Sequence, residues 1–197
     1  MDQLAEPLQV VRAVTATLEK LDILHFVCGS MASSLYGLPR STQDIDLVAD
    51  IAPRHVAQLV AAFKGTFYVD DAMIREAIER QSSFNMIHLE SMYKVDIFVL
   101  KDELWAATEM ERRRVFQIGA VPEERLWLAS ADDTVLQKLR WFKLGGGTSE
   151  KQWSDIKGVL AVQQSNLDAS YLRQWARSLG VLDLLEKAQC ESAPKGC

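Results

Sequence analysis

The chain has 197 residues, 48% hydrophobic and 25% charged, with ordinary glycine and proline counts; this suits a globular protein of one to one and a half domains and excludes disordered and fibrous classes. A formal net charge of −5 excludes indiscriminate nucleic-acid binding through a uniformly basic surface, although a local basic groove stays open. Three cysteines without paired spacing point to a reducing, cytoplasmic setting; no apolar run is long enough to span a membrane, and the opening Met-Asp-Gln-Leu-Ala-Glu has no export-signal pattern.

Leu8, Val11, Val14, Leu18 and Leu21 recur at helical spacing behind Pro7, so residues 7–21 are expected to form a packing helix. An apolar run from Ile23 to Cys28 reads as a strand, with Cys28 a small buried hydrophobe. It meets a Gly29-Ser30 turn and a short helix containing Met31, Ala32, Leu35 and Tyr36, which Gly37 and Pro39 end. Arg40 and Thr42 then lead into a second strand, Asp44-Ile45-Asp46-Leu47-Val48. Its alternation puts both carboxylates on one face and Ile45 and Leu47 on the other.

Pro53 opens a helix that Gly65 ends, residues 67–69 form a short strand, and residues 72–80 form a helix with Ile74 and Ile78 on one side. Residues 83–90 and 93–100 read as an antiparallel hairpin. Asp96 is the one acid in the second of these strands, where Asp is disfavoured and asks for a reason. A helix over 102–111 and short strands over 113–118 and 126–129 follow. From Ser130 the chain becomes helical: a capped helix to about Leu144 stopped by Gly145-Gly146-Gly147, another opening at Ser149 with Trp153, Ile156 and Leu160 on one side, then helices over 168–178 and 181–189. The last residues, from 191, read as a frayed tail.

Two aspartates two residues apart on a strand make a half-site for hard Mg²⁺, which takes carboxylate oxygens together with substrate phosphates. The Gly29-Ser30 turn would offer backbone N–H groups and a hydroxyl at a helix N-terminus, where the dipole favours phosphate. Gly-Ser, a thirteen-residue spacer and then Asp-x-Asp resembles the signature of the DNA polymerase β-like nucleotidyltransferase superfamily. Within it the chain is most similar to the abortive-infection (AbiEii) type nucleotidyltransferase toxins, and less closely to the small antibiotic nucleotidyltransferases, which also carry an Arg and a Thr just before the Asp pair.

The resemblance covers roughly residues 23–100, with a weaker extension to about 160. It implies an α+β fold: a nucleotidyltransferase-type mixed β-sheet flanked by helices, as a catalytic domain over 1–129, a helical subdomain over 130–190 packing on it, and a tail over 191–197. It further implies that Asp44, Asp46 and Asp96 hold the metal, two Mg²⁺ ions being expected, and that Asp96 helps to activate the attacking hydroxyl. Gly29, Ser30, Arg40 and Thr42 would bind the nucleotide. The toxins carry Thr-x-x-x-Lys in a helix after the sheet and an Asp in the next helix, which Thr134, Lys138 and Asp155 match in type and order. Lys138 is therefore expected at the triphosphate, with Asp155 orienting it or a substrate hydroxyl.

Each residue also has a plainer reading. Lys138 reads equally as a surface lysine beside a core stripe of Val135, Leu139 and Phe142, and Arg40 as a turn residue. Arg112-Arg113-Arg114 reads as the solvated end of a helix, with a basic edge for an RNA acceptor as the functional alternative. His25, His55 and His88 lack zinc spacing, and the five tryptophans read as packing residues. An aspartyl-phosphate phosphatase needs a hydrophobic strand running into the first Asp, where this chain has Arg-Ser-Thr-Gln; an EF-hand needs oxygen ligands where Val48 and Ala49 stand.

The expected activity is transfer of a nucleoside monophosphate from a nucleoside triphosphate to a hydroxyl of RNA, protein or a small molecule. The toxin resemblance adds a possible antitoxin partner. The alternatives are a silent nucleotide-binding module of the same fold and an antibiotic nucleotidyltransferase.

Overall fold

The computed structural model describes residues 6–42 and 44–192; of the tail expected over 191–197, Glu191 and Ser192 instead end the last helix and the rest lies outside the described residues. The chain forms two compact units, one of Met1–Cys28 with Thr42–Leu128 and one of Gly29–Ser41 with Ala129–Cys197.

The first unit is built on a seven-stranded mixed sheet: β1 (His25–Val27), β2 (Asp44–Ala49), β3 (Phe67–Tyr68), β4 (Ser83–His88), β5 (Lys94–Val99), β6 (Arg114–Gln117) and β7 (Arg125–Leu128), in the spatial order β3-β4-β5-β2-β1-β7-β6. Hairpin β4–β5 is antiparallel as its sequence predicts, whereas β2 runs parallel to β5 and β1 parallel to β7. Alternation sets the central strands: Ile45, Leu47, Val95 and Ile97 are fully buried on one face, and the polar residues between them lie on the other.

Four helices of this unit, α1 (Glu6–Lys20), α3 (Val56–Phe63), α4 (Asp71–Glu79) and α5 (Leu104–Arg112), alternate with the strands; α2 belongs to the second unit and is given below. Val11, Val14 and Leu18 of α1 and Leu59 and Phe63 of α3 bury the apolar stripes that their spacing encodes. Before α3 the chain makes a short 3₁₀ turn, Pro53–His55, because His55 Nδ1 accepts the Ala52 N–H at 3.1 Å and fixes the entry. Asp70 caps α4 by accepting the Met73 N–H at 2.9 Å.

The second unit is helical: α2 (Gly29–Tyr36), α6 (Ala131–Leu144), α7 (Glu150–Gln163), α8 (Ala169–Ser178) and α9 (Leu182–Ser192). Helix α2 buries Met31, Ala32 and Ser33 and packs on α6 and α7. Its C-terminal end approaches α7 so closely that a Cβ on Gly37 would fall 2.8 Å from backbone atoms of Gly158 and Val159. Ser130, Ser149 and Asp168 cap α6, α7 and α8 with their side chains. Asp132 and Asp133, both buried in the first turn of α6, fasten α8 by accepting from Asp168 N (2.9 Å) and the Tyr171 hydroxyl (2.6 Å). Among the described residues, no helix is long and apolar enough to cross a membrane.

Candidate functional site

In the sheet unit, the parallel register of β2 and β5 sets Asp44 opposite Lys94 and Asp46 opposite Asp96. Directly paired residues of neighbouring strands share a face, so the three acids line one side of the sheet while Ile45, Leu47, Val95 and Ile97 fill the other. Asp44 is exposed and Asp46 and Asp96 are half-buried. Like charges side by side on adjacent strands are unfavourable unless a cation lies among them.

Lys94 supplies one. Its Nζ is 2.9 Å from Asp96 Oδ2, and the hydrogen bond to Asp96 raises the lysine above its ordinary range, aided by the negative fields of Asp96, Asp44 and Asp46 against the opposing effect of burial. Among the described residues, no three His, Cys, Asp or Glu side chains are gathered as a metal's coordination sphere. The donor set nevertheless fits Mg²⁺ in kind: carboxylates from two adjacent strands on one face, which already draw a positive charge to themselves. Thr42, half-buried, donates its hydroxyl to the Asp44 carbonyl at 3.0 Å.

The helical unit brings together Ser30, Arg40, Lys138 and Asp155. The Asp155 carboxylate takes Arg40 in a two-point fork, Nε to Oδ1 and Nη2 to Oδ2, each at 2.7 Å. It also takes Lys138 Nζ at 2.8 Å on Oδ2. The side chains of Lys138 and Asp155 are only 8% and 6% exposed, so Lys138 is a buried, paired cation and not a surface lysine beside the core. Arg40 Nη2 further donates to Ser30 Oγ at 2.5 Å, anchoring the start of α2. Gly29, the residue before Ser30 and the first of α2, has φ +60°, a left-handed conformation that costs glycine little.

Burial pushes the Asp155 carboxyl up, but hydrogen bonds from Arg40 and Lys138 and their charges outweigh it and hold the group below its ordinary value. The same hydrogen bond raises Arg40. Two cations against one carboxylate leave one net positive charge beside the first turn of α2, an arrangement suited to an anion.

Arg40 is therefore more than a turn residue, and its bond to Asp155, 115 positions away, could not be read from local spacing. Lys94 is the residue that sequence reasoning passed over. Its signal was available, since a lysine two positions before a strand aspartate shares that aspartate's face. Of the basic run, Arg113 lies over the Trp127 ring at 4.6 Å to the centroid, and Arg114 is exposed at the start of β6.

No protein-family model matches the sequence, and no curated protein matches it. Among solved structures the fold is similar to an antigenic nucleotidyltransferase-like protein from Paracoccidioides brasiliensis, with 17% identity and a TM-score of 0.55 over 95% of this chain and 94% of that one. It is also similar to ANT(2'')-Ia in complex with adenylyl-2''-tobramycin, with 12% identity and a TM-score of 0.54 over 89% and 98% of the two chains. A third is the lincosamide antibiotic adenylyltransferase LnuA, with 13% identity and a TM-score of 0.50 over 82% and 99%. The α+β fold expected from the sequence, a mixed sheet flanked by helices, is thus the fold of solved nucleotidyltransferases.

Proposed function

We propose that this chain is a Mg²⁺-dependent nucleotidyltransferase, moving a nucleoside monophosphate from a triphosphate to an acceptor hydroxyl. The observation that carries the reading is the acid face of the sheet: Asp46 and Asp96 directly paired, Asp44 beside them, and a cation already drawn in. Asp44, Asp46 and Asp96 would hold the ion or ions. When bound, Mg²⁺ supplies charge neutralisation of the phosphates and lowers the barrier to displacement at phosphorus.

The chain's own groups have separable tasks in this scheme. Asp96 accepts the proton of the attacking hydroxyl as the new P–O bond forms at the α-phosphorus and the bond to pyrophosphate breaks. Lys138 and Arg40 offset the negative charge that builds on the leaving pyrophosphate, and Ser30 and the Gly29 turn bind phosphate oxygens, with Thr42 at the approach to β2. Asp155 positions both cations, so that their charge is in place before the reaction and costs no reorganisation during it.

The test is incubation with each α-labelled nucleoside triphosphate and Mg²⁺ against cellular RNA, protein and metabolites. Label transfer with release of pyrophosphate is expected for at least one triphosphate, falling more than about a hundredfold in Asp46→Asn. No transfer from any of the four, by protein with intact circular dichroism, would remove the reading and favour a silent nucleotide-binding module.

The AbiEii-like pattern of Thr134, Lys138 and Asp155 supports a toxin with an antitoxin partner, acting in the cytoplasm on RNA or protein. Expression would then arrest growth, and Asp46→Ala would relieve the arrest. A small-molecule acceptor is the second reading, favoured by similarity along nearly the full length of ANT(2'')-Ia and LnuA. Mass shifts of tobramycin or lincomycin offered as acceptors distinguish it.

A further inference from the structure

The acid face of the sheet carries a cation of its own. Lys94 and Asp96 are two residues apart on β5, hence on one face, and the register puts Lys94 opposite Asp44 and Asp96 opposite Asp46. The lysine therefore stands within the carboxylate set, with its Nζ 2.9 Å from Asp96 Oδ2. Its side chain is 45% exposed and that of Asp96 is 21% exposed, so the pair is open to water on the lysine side. An ion pair of that exposure is weak, and a four-carbon stem lets the ammonium swing away without disturbing the strand. By contrast, the cation that holds Asp155 in the helical unit is deeply buried and fixed.

We propose that Lys94 is a tethered counter-ion of the Asp44, Asp46 and Asp96 face, resting on Asp96 in the metal-free protein and yielding that carboxylate when a divalent ion binds. This rests on the reading that the three acids take such an ion. The charges state the consequence: three carboxylates and one ammonium present a net charge of −2, whereas the carboxylates alone present −3. The lysine therefore keeps the acids from repelling one another before the ion arrives, and weakens the ion's hold by competing for Asp96. Metal uptake becomes an exchange of one cation for another, and the resting affinity is lower than the donor set alone would give.

The experiment is calorimetric titration of Mn²⁺ and Mg²⁺ into the full chain without nucleotide, comparing wild type with Lys94→Met, Lys94→Gln and Lys94→Arg, together with melting of each metal-free protein at low salt. Both neutral variants are expected to bind the ion about tenfold more tightly than wild type. They should also melt lower without metal and gain more from adding it, and Lys94→Arg should stay near wild type. Wild-type binding with no tightening in either neutral variant overturns this inference alone. That pattern, with weaker triphosphate binding in the variants, would make Lys94 a phosphate ligand instead. If neither wild type nor the neutral variants bind a divalent ion, the metal reading fails and this inference with it.

Discussion

A carboxylate buried between a guanidinium and an ammonium cannot be removed cheaply, because the two cations stay behind. Asp155→Ala leaves Lys138 buried without its partner, and a cost of about 3 kcal/mol in urea unfolding is expected, less than the full penalty because Arg40 reaches water. Because the folded Asp155 carboxyl lies below its ordinary value of 3.8, its contribution is complete above that value and is lost as pH falls through the lowered folded value. The stability gap between wild type and Asp155→Asn should therefore be flat from pH 8 to about 5 and narrow only in stronger acid. His25 behaves in the opposite range. Burial lowers its pKa from 6.5, its Nδ1 donates to the Ile23 carbonyl at 2.9 Å, and its buried Nε2 has no hydrogen-bond partner among the described residues. Below pH 6.5 the unfolded chain takes up the proton first, so the folded state loses stability as pH falls. Wild type should lose about 1 kcal/mol between pH 7.5 and 5.5 that His25→Asn does not, as read by urea unfolding at the two pH values.

The elements fall close to where periodicity and caps put them, and the exceptions have physical causes. Helix α6 starts at the Ser130 cap and stops at the glycine run, since both signals act over a few residues of chain. The alternation in β2 and β5 identifies the acid face for the same reason. What local chemistry does not encode is pairing across long separations: the parallel register of β2 with β5, and the fork from Arg40 to Asp155. Nor does the sequence reveal why Gly37 is glycine. It has no need of a left-handed conformation, yet a side chain there would meet the α7 backbone at 2.8 Å. Gly37→Ala is expected to destabilise by about 2 kcal/mol, visible as a lower melting temperature, because backbone cannot move aside as a side-chain tip can.

At the scale of the molecule, the two units are not two consecutive stretches. The chain passes between them at Cys28–Gly29, Ser41–Thr42 and Leu128–Ala129. A fragment ending at Leu128 would hold α2 without α6 and α7, leaving Met31 and Ala32 of its buried side without those partners. Such a fragment should lose cooperative melting by circular dichroism and self-associate in gel filtration, whereas the full chain should melt cooperatively. Both halves of the proposed chemistry are thereby tied to one continuous polypeptide: the acids belong to the sheet unit, and Ser30, Arg40, Lys138 and Asp155 belong to the helical one.

That interleaving also sets a timetable on the ribosome. Helix α2 emerges about a hundred residues before α6, which begins at Ala131, and at roughly 5–20 residues per second it waits on the order of 5–20 s for its cover. The acid strands are synthesised by Val99, but the carboxylate that fixes Arg40 arrives only at Asp155. Prematurely terminated chains would therefore carry the acids with an arginine that lacks its carboxylate partner.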